Sequence, residues 1–145
     1  MAYDYFSDQI TNANAVPRVI NKSNEEGRTL TRFFSKTVPA GNMASGTTLE
    51  LVQMKKGDRI LKGFCTTTAL SSAGGDASIQ LGDGTTANAY KATTSVDAIA
   101  SFDFMNTPAL GSGVELTADT SLVATVTTEA WVAAGTISGY VLYLR

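Results

Sequence analysis

The stretch Ser78–Tyr90, SIQLGDGTTANAY, contains residue types that bind phosphate or calcium: a glycine-flanked acid followed by two hydroxyls. A phosphate-binding glycine loop needs a following helix whose first N–H groups point at the anion, and a Walker loop also needs a lysine at fixed spacing. The motif lacks both features. A calcium loop needs several oxygen ligands, whereas Asp83 has only Asp76 near it in the sequence. Since Asp-Gly between alternating runs is a strong hairpin signal, we predict a turn between two strands, with ion binding as the alternative.

Other catalytic arrangements have little support. The sequence contains no histidine, which removes the usual general base, the Ser–His and Cys–His pairs and most catalytic zinc sites. Cys65 lies in the run LKGFCTTT without an adjacent basic residue, so we interpret it as a small buried hydrophobe. Hydrolysis by paired acids remains an alternative, for which the chain offers Asp58, Asp76, Asp83, Asp97, Asp103, Glu115 and Asp119. Most of these acids lie at predicted turns, where Asp favours the backbone geometry, and we predict no enzymatic activity, metal, cofactor or small-molecule substrate.

Size and charge narrow the class of protein. The chain has 145 residues, a mass of 15.2 kDa and a formal net charge of -2, which corresponds to one domain without general attraction to nucleic acid or anionic membrane. No apolar stretch approaches the roughly 20 residues that span a bilayer. The N-terminus carries Asp4 and Asp8 where a secretory signal needs a basic start and an apolar run. We therefore expect neither a nucleic acid nor a membrane as partner.

The chain divides into an arm and a β domain. Residues 1–30 are polar and rich in Asn, and Pro17 interrupts any long helix, so we predict an extended N-terminal arm to about Arg28. Residues 31–145 contain short runs of Thr, Val, Ile and aromatic residues separated by turn residues. The predicted strands are Thr31–Val38, Thr47–Met54, Arg59–Thr67, Ala77–Leu81, Asn88–Ala92, Ile99–Met105, Val114–Thr117, Ser121–Thr127 and Thr136–Leu144. Without intervening helices, they predict an all-β fold, a single antiparallel, jelly-roll-like sandwich.

Two chain reversals give more detail. The run TTLELVQMKKGDRILKGFCT predicts a hairpin at Lys55–Asp58, with Gly57 in the positive φ that such a loop needs. In the last strand, Ile137, Val141 and Tyr143 share one face, and the other face is apolar too. That second face consists of Tyr140, Leu142 and Leu144. A strand that is apolar on both sides is central in a stack or covered by a second chain, so these residues are candidate interface residues.

Aromatic and basic residues outside the predicted strands suggest further contacts. Trp131, in the loop TTEAWVAAGT, can cap the end of the sandwich, anchor a partner or stack on a sugar. The arm tip places Tyr3, Tyr5 and Phe6 close together, which suits an apolar groove on a partner. The basic residues that can form ion pairs with acidic residues of the partner are Arg18, Lys22, Arg28 and Arg32. Ordering a polar arm costs on the order of 1 kcal/mol per residue, which contacts with another protein offset.

Residues 33–145 resemble a family of small β-sandwich proteins that decorate or cement the capsids of tailed bacteriophages. The shared motifs are the turn Val38–Gly41, the hairpin from Leu49 to Gly63, the LGDG turn Leu81–Gly84 and a last strand ending in YVLYL. The resemblance implies a non-enzymatic virion protein on the outer surface of the head. It also implies binding to the major capsid protein where capsomers meet, and assembly as a homotrimer.

An alternative function belongs to a different class. β-Sandwiches are common scaffolds for carbohydrate-binding or receptor-binding modules of phage tails and fibres. Such a module needs exposed, roughly coplanar aromatic rings, for which the domain offers Trp131, Tyr90, Tyr140 and Tyr143.

Overall fold

Eight antiparallel strands in two sheets make up a β-sandwich in the computed structural model, which describes residues 29–41 and 43–145. The strands are β1 (Thr29–Val38), β2 (Thr48–Met54), β3 (Arg59–Thr67), β4 (Ala77–Gly82), β5 (Lys91–Ser95), β6 (Ala100–Phe104), β7 (Thr120–Thr128) and β8 (Gly135–Leu144). The helical element in these residues is one 3-10 turn, Pro108–Leu110, and none of their helices is long and apolar enough to cross a membrane. The predicted all-β sandwich is confirmed.

The strand order is that of a jelly roll. Sheet I has the order β1-β8-β3-β6, and sheet II has the order β2-β7-β4-β5. First and last strands pair, as do second and seventh, third and sixth, and fourth and fifth. Such nested pairing is what results when one long hairpin of four strand pairs is rolled into two sheets. The β4–β5 hairpin is consequently the one place where strands that are consecutive in sequence pair with each other.

The predicted hairpin at Lys55–Asp58 is wrong in one respect. The reversal exists, and Gly57 has the expected positive φ of 88°. However, it carries the chain from β2 in sheet II to β3 in sheet I, and β7 and β8 likewise lie in different sheets. A turn motif specifies that the chain reverses, whereas the choice of strand partner depends on distant strands. Here β2 pairs with β7, and β3 pairs with β6 on one side and with β8 on the other.

The LGDG stretch forms the predicted turn, within a loop between β4 and β5. The Asp83 carboxylate Oδ1 accepts hydrogen bonds from the backbone N–H groups of Thr85, at 2.9 Å, and Thr86, at 2.7 Å. The loop is longer than predicted, so β5 begins at Lys91 rather than at Asn88. The strand predicted at Val114–Thr117 is also wrong, because that segment contributes one isolated bridge, between Arg59 and Glu115.

Glycines on sheet I admit two large rings to the core. A side chain at Gly63 would overlap the ring of Phe104, and one at Gly139 would overlap the ring of Phe34 and the Phe64 carbonyl. Cys65 lies beside them with no exposed surface, and burial raises the pKa of its thiol to about 12. The interpretation of Cys65 as a buried hydrophobe is confirmed.

One end of the sandwich, here called the Asp58 end, is closed by ionic contacts. The Asp58 carboxylate, which has no exposed surface, accepts hydrogen bonds from Arg32 Nη1 at 2.6 Å and from Arg145 Nη2 at 2.6 Å and Nε at 2.9 Å. The backbone N–H of Lys55 donates a further hydrogen bond to it, at 2.9 Å. Burial alone would raise the pKa of Asp58, but these hydrogen bonds outweigh it and hold the pKa below its ordinary value. Both guanidinium groups lie over the ring of Tyr143, at 4.4 and 5.7 Å.

Candidate interaction face

The outer surface of sheet I carries a continuous apolar patch, here called the aromatic face. Along β8, buried Ile137, Val141 and Tyr143 alternate with partly exposed residues, so the latter point away from the core. The register of the sheet aligns Phe33 of β1, Tyr140 of β8 and Phe64 of β3 in one row across it. The members of the aromatic face are Phe33, Phe64, Tyr140, Leu142 and Leu144.

The three rings contact one another. Phe33 and Tyr140 meet edge to face with centroids 6.2 Å apart, and Tyr140 and Phe64 stack at 5.7 Å. Such pairs contribute about 0.5–1.5 kcal/mol each beyond their buried area. Phe33 nevertheless remains 77% exposed, so the described residues assemble the row without covering it. An assembled apolar surface on a small domain is typical of an interaction site.

Charged and hydroxyl groups border the aromatic face. Lys62 is paired with Leu142 in the register, and Asp103 of β6 is paired with Phe64. On the far side of the aromatic row lies a row of hydroxyls from all four strands, in which Thr66 Oγ1 and Ser101 Oγ are 3.2 Å apart. The members of that row are Ser35, Ser138, Thr66 and Ser101. An apolar centre with a polar border is the usual composition of a protein–protein interface.

The outer surface of sheet II has a different composition. Its residues are mostly hydroxyl and amide side chains that bond to one another. Ser121 Oγ donates to Glu50 at 2.8 Å, and Gln80 Nε2 donates to Thr93 Oγ1 at 2.9 Å. The outward apolar residue of β7, Val123, is only 9% exposed. Sheet I is therefore the sheet whose outer surface suits an apolar partner.

The structure brings three of the predicted interface residues together and corrects the fourth. Tyr140, Leu142 and Leu144 lie on the aromatic face, as the alternation of β8 predicted. Trp131 does not lie on a surface: it has no exposed area, and its indole N–H donates to the Ser78 carbonyl at 3.1 Å. It caps the sandwich and cannot anchor a partner or stack on a sugar. Sequence reasoning did not assign Phe33 and Phe64 to this face, although one of the adjacent residues Phe33 and Phe34 must point outward in a strand.

The arm residues predicted to bind a partner, which are Tyr3, Tyr5, Phe6, Arg18, Lys22 and Arg28, lie outside the described residues. Arg32 is described, and the interpretation that it meets acids of a partner is wrong. Its guanidinium pairs with Asp58 of the same chain at 2.6 Å. Without Arg32 the buried carboxylate would lack one of its counter-charges, so this guanidinium is directed at Asp58.

Five of the seven acids considered for catalysis serve turns and ion pairs, which are Asp58, Asp83, Asp97, Glu115 and Asp119. Asp119 accepts the Lys56 N–H at 2.9 Å and pairs with Lys55, and these contacts lower its pKa. Glu115 pairs with Arg59 at 3.3 Å. Asp97 accepts the N–H of Ser72 at 3.1 Å. Within the described residues, no group of three or more His, Cys, Asp or Glu side chains is arranged to hold a metal ion.

Three surface depressions of the described residues offer no unpaired acid or base that would indicate a catalytic site. One of 380 Å³ is lined by residues without titratable side chains, which are Pro39, Ala40, Gly41, Met43, Ala44 and Thr47. Two others, of 260 and 320 Å³, contain the pairs Lys55–Asp119 and Arg59–Glu115, whose charges are already matched. The aromatic face is thus the feature of the described residues that best fits a functional contact.

The same fold occurs in chains of two phage capsid structures. A chain in the cyanophage Pam1 capsid asymmetric unit is similar over 83% of this chain and 87% of that chain, with 18% sequence identity and a TM-score of 0.67. A chain in the capsid of Ralstonia phage GP4 is similar over 83% of this chain and 86% of that chain, with 17% identity and a TM-score of 0.69. No protein-family model and no curated protein matches the sequence. The comparisons therefore establish a fold that is shared with chains of phage capsids.

Proposed function

We propose that the chain is a non-enzymatic virion structural protein that decorates the outer surface of a phage capsid. The observation that carries this proposal is a jelly roll whose fold recurs in chains of two phage capsid structures, with an exposed aromatic face that suits assembly with other subunits. A small domain that leaves three contacting rings at its surface gains stability when another protein covers them. Fully burying one such side chain contributes about 1.5–3 kcal/mol.

In this proposal the chain binds the major capsid protein and bridges its neighbouring subunits. A protein that binds only the assembled, expanded shell stabilises that state by its binding free energy. The sandwich provides one attachment, and residues 1–28 provide the second, with Tyr3, Tyr5 and Phe6 in an apolar groove and Arg18, Lys22 or Arg28 near acids of the capsid protein. An extended chain of about 28 residues reaches on the order of 90 Å, enough to leave the parent sandwich. Two weak attachments joined in this way bind with avidity.

The proposed working state is a homotrimer in which neighbouring copies cover the aromatic face. Strand β8 supports this part of the proposal because it is apolar on both sides. One side packs in the core, and the other is not covered by the described residues of the same chain. Closed cyclic symmetry is the usual arrangement of identical subunits, and it covers the same patch on every copy.

Deletion of residues 1–28 tests the bridging function. Strand β1 is described from Thr29, so the deleted chain retains all the described strands and we expect it to fold. Occupancy on particles, measured by co-sedimentation and electron microscopy, is expected to fall. The particles are expected to rupture at lower temperature than fully decorated ones. A matched control carries Glu50→Lys, an exposed change on sheet II, and should decorate normally.

Two results contradict the proposal. One is decoration by the deleted chain as tight as that by the full chain, which would remove the bridging role. The other is specific binding on a glycan array, which would favour the carbohydrate-binding alternative. The structure gives that alternative little support, because Trp131, Tyr90 and Tyr143 are buried and the rings of Phe33 and Tyr140 are inclined by 66°.

A further inference from the structure

Phe64, at the centre of sheet I, has opposite charges on two sides. Lys62 precedes it by two residues on β3, so both side chains leave the same side of the sheet. Asp103 is its cross-strand partner on β6. Lys62 and Asp103 are exposed, and neither forms a salt bridge with any residue within 29–41 or 43–145. The aromatic face thus presents an apolar centre between one free cation and one free anion.

We propose that the aromatic face is covered by the aromatic face of a second copy, with Lys62 of one copy against Asp103 of the next. This inference rests on the homotrimer of the proposed function and names the contact that forms it. A partner surface of a single charge would match one of the two groups and repel the other. A surface that carries both signs beside the same ring is complementary to itself.

Three-fold symmetry uses both charges on every copy. Near such an axis, a residue meets its own counterparts, while the groups on its two sides meet different neighbours. With Phe64 at the axis, its three copies form one apolar cluster. Lys62 of each copy then faces Asp103 of the neighbour on one side, and Asp103 faces Lys62 of the neighbour on the other. The pairs are equivalent, and no charge remains unmatched.

The edge of sheet I supports a contact through the face rather than through added strands. Among the described strands, β1 lies at an edge of sheet I, and its ten residues are enough to pair with another chain. Its core-side positions include the charged residues Arg32 and Lys36. Charged residues at such positions of an edge strand oppose the addition of a further strand. The outer face offers no such obstacle.

Charge reversal tests the contact directly. Lys62→Asp places the new carboxylate opposite Asp103 of the neighbouring copy. Asp103→Lys places the new ammonium group opposite Lys62 of the neighbouring copy. Each change creates repulsion across the interface. Each single variant should weaken self-association at least about tenfold, measured by sedimentation velocity over a range of concentrations. The double variant Lys62→Asp with Asp103→Lys should recover association to within about threefold of the unmodified chain, because it restores opposite charges. Glu50→Lys on sheet II is the control and should associate normally.

Carbodiimide coupling of the unmodified chain provides a second readout that does not depend on any variant. The reagent joins an amine and a carboxylate that are already in contact. A mixture of isotopically labelled and unlabelled copies, coupled in solution and on particles, should yield an amide between Lys62 of one copy and Asp103 of another. Mass spectrometry distinguishes this product from coupling within one chain.

Three results of these experiments, and a fourth on oligomeric state, overturn the contact. They are single variants that associate normally, a double variant that is not rescued, and intermolecular coupling that excludes Lys62 and Asp103. A chain that is monomeric both in solution and on particles also overturns it, while particle binding through residues 1–28 can persist. Suppose instead that the chain forms trimers, that the double variant restores them, and that these trimers do not bind particles. That result supports the contact and contradicts the proposed function.

Discussion

The two ends of the sandwich close the same core with different chemistry. At the Asp58 end, a buried carboxylate holds Arg32 of the first strand and Arg145 beyond the last strand. At the opposite end, Trp131 fills the opening and its backbone pairs with Met43, with N–H to carbonyl distances of 2.8 and 3.0 Å. The loops of this Trp131 end, 39–47, 68–76, 96–99 and 129–134, contain no Lys or Arg. One end is sealed by charge and the other by an aromatic ring and backbone hydrogen bonds.

This difference separates two contributions to stability. The Asp58 end joins segments from the beginning, middle and end of the described chain, but it depends on the ionisation of one carboxyl group. The Trp131 end depends on the shape of the indole ring and on hydrogen bonds, and its described residues form no salt bridge. Removing the buried carboxylate leaves two partly exposed guanidinium groups and a backbone N–H without their acceptor, whereas a truncated aromatic ring leaves a cavity. The ends should therefore respond differently to substitution and to pH.

Asp58→Ala should have the largest effect. It leaves the Lys55 N–H without its acceptor, and it leaves Arg32 and Arg145, whose side chains are 22% and 50% exposed, without their counter-charge, which together should cost about 3 kcal/mol. The free energy of unfolding from urea titration measures the loss. Asp119→Ala at the same end is the control, because its side chain is exposed and water can replace its contacts. Equal effects of the two substitutions would show that the buried contact is no stronger than a surface one.

Trp131→Phe should have the next largest effect. The substitution removes the indole donor to the buried Ser78 carbonyl and leaves a small void, which together should cost about 2 kcal/mol. Thermal unfolding followed by circular dichroism measures it. Val132→Ala, at an exposed neighbour, is the control. A neutral Trp131→Phe would show that the hydrogen bond does not support the cap.

Acid should weaken the Asp58 end selectively. Because the pKa of Asp58 is lowered on folding, its stabilising contribution is complete above the ordinary value of 3.8 and is lost as the pH falls through the folded value. The effect should be smaller than that of Asp58→Ala, since a protonated carboxyl group keeps its oxygens. The free energy of unfolding, measured as a function of pH for the unmodified chain and for Asp58→Asn, isolates the contribution of this carboxyl group. Parallel curves for the two proteins would contradict this assignment.

Asp83→Ala should have the smallest effect. Water can replace the carboxylate at the N–H groups of Thr85 and Thr86, because both residues are exposed. We expect a loss of about 1 kcal/mol or less and unchanged particle binding. Urea titration and co-sedimentation check the two parts. Loss of binding by a folded variant would mean that the LGDG turn has a functional role.

Local sequence patterns predicted the strands better than their partners. Strand β3 was predicted with the observed bounds, Arg59–Thr67, because β-branched residues and turn residues mark both ends. Strand β5 was placed too early because aromatic Tyr90 indicated a strand, whereas the Asp83 loop extends through it. The pairing of β2 with β7 rather than β3 depends on the whole sheet and leaves no local mark.

The candidate site shows the same limit. Alternation within β8 was sufficient to predict the outward positions of Tyr140, Leu142 and Leu144. The contributions of Phe33 and Phe64 depend on the register of three strands, which the sequence does not display. For Trp131, capping was one of three alternatives, and the contacts that decide for it, with Met43 and Ser78, are distant in the sequence.

The nested strand order has a consequence for how the chain reaches its fold. Thr29 pairs with Leu144, so sheet I cannot be completed until nearly the whole described chain has been synthesised. Pairing between distant segments slows folding, since the entropy of closing long loops is lost before the contacts form. The β4–β5 hairpin is the one local pair, and we expect the transition state to contain it together with β7, which pairs with β4. Residues of β1 should then acquire their contacts late, with low φ-values, and changes there should mainly accelerate unfolding.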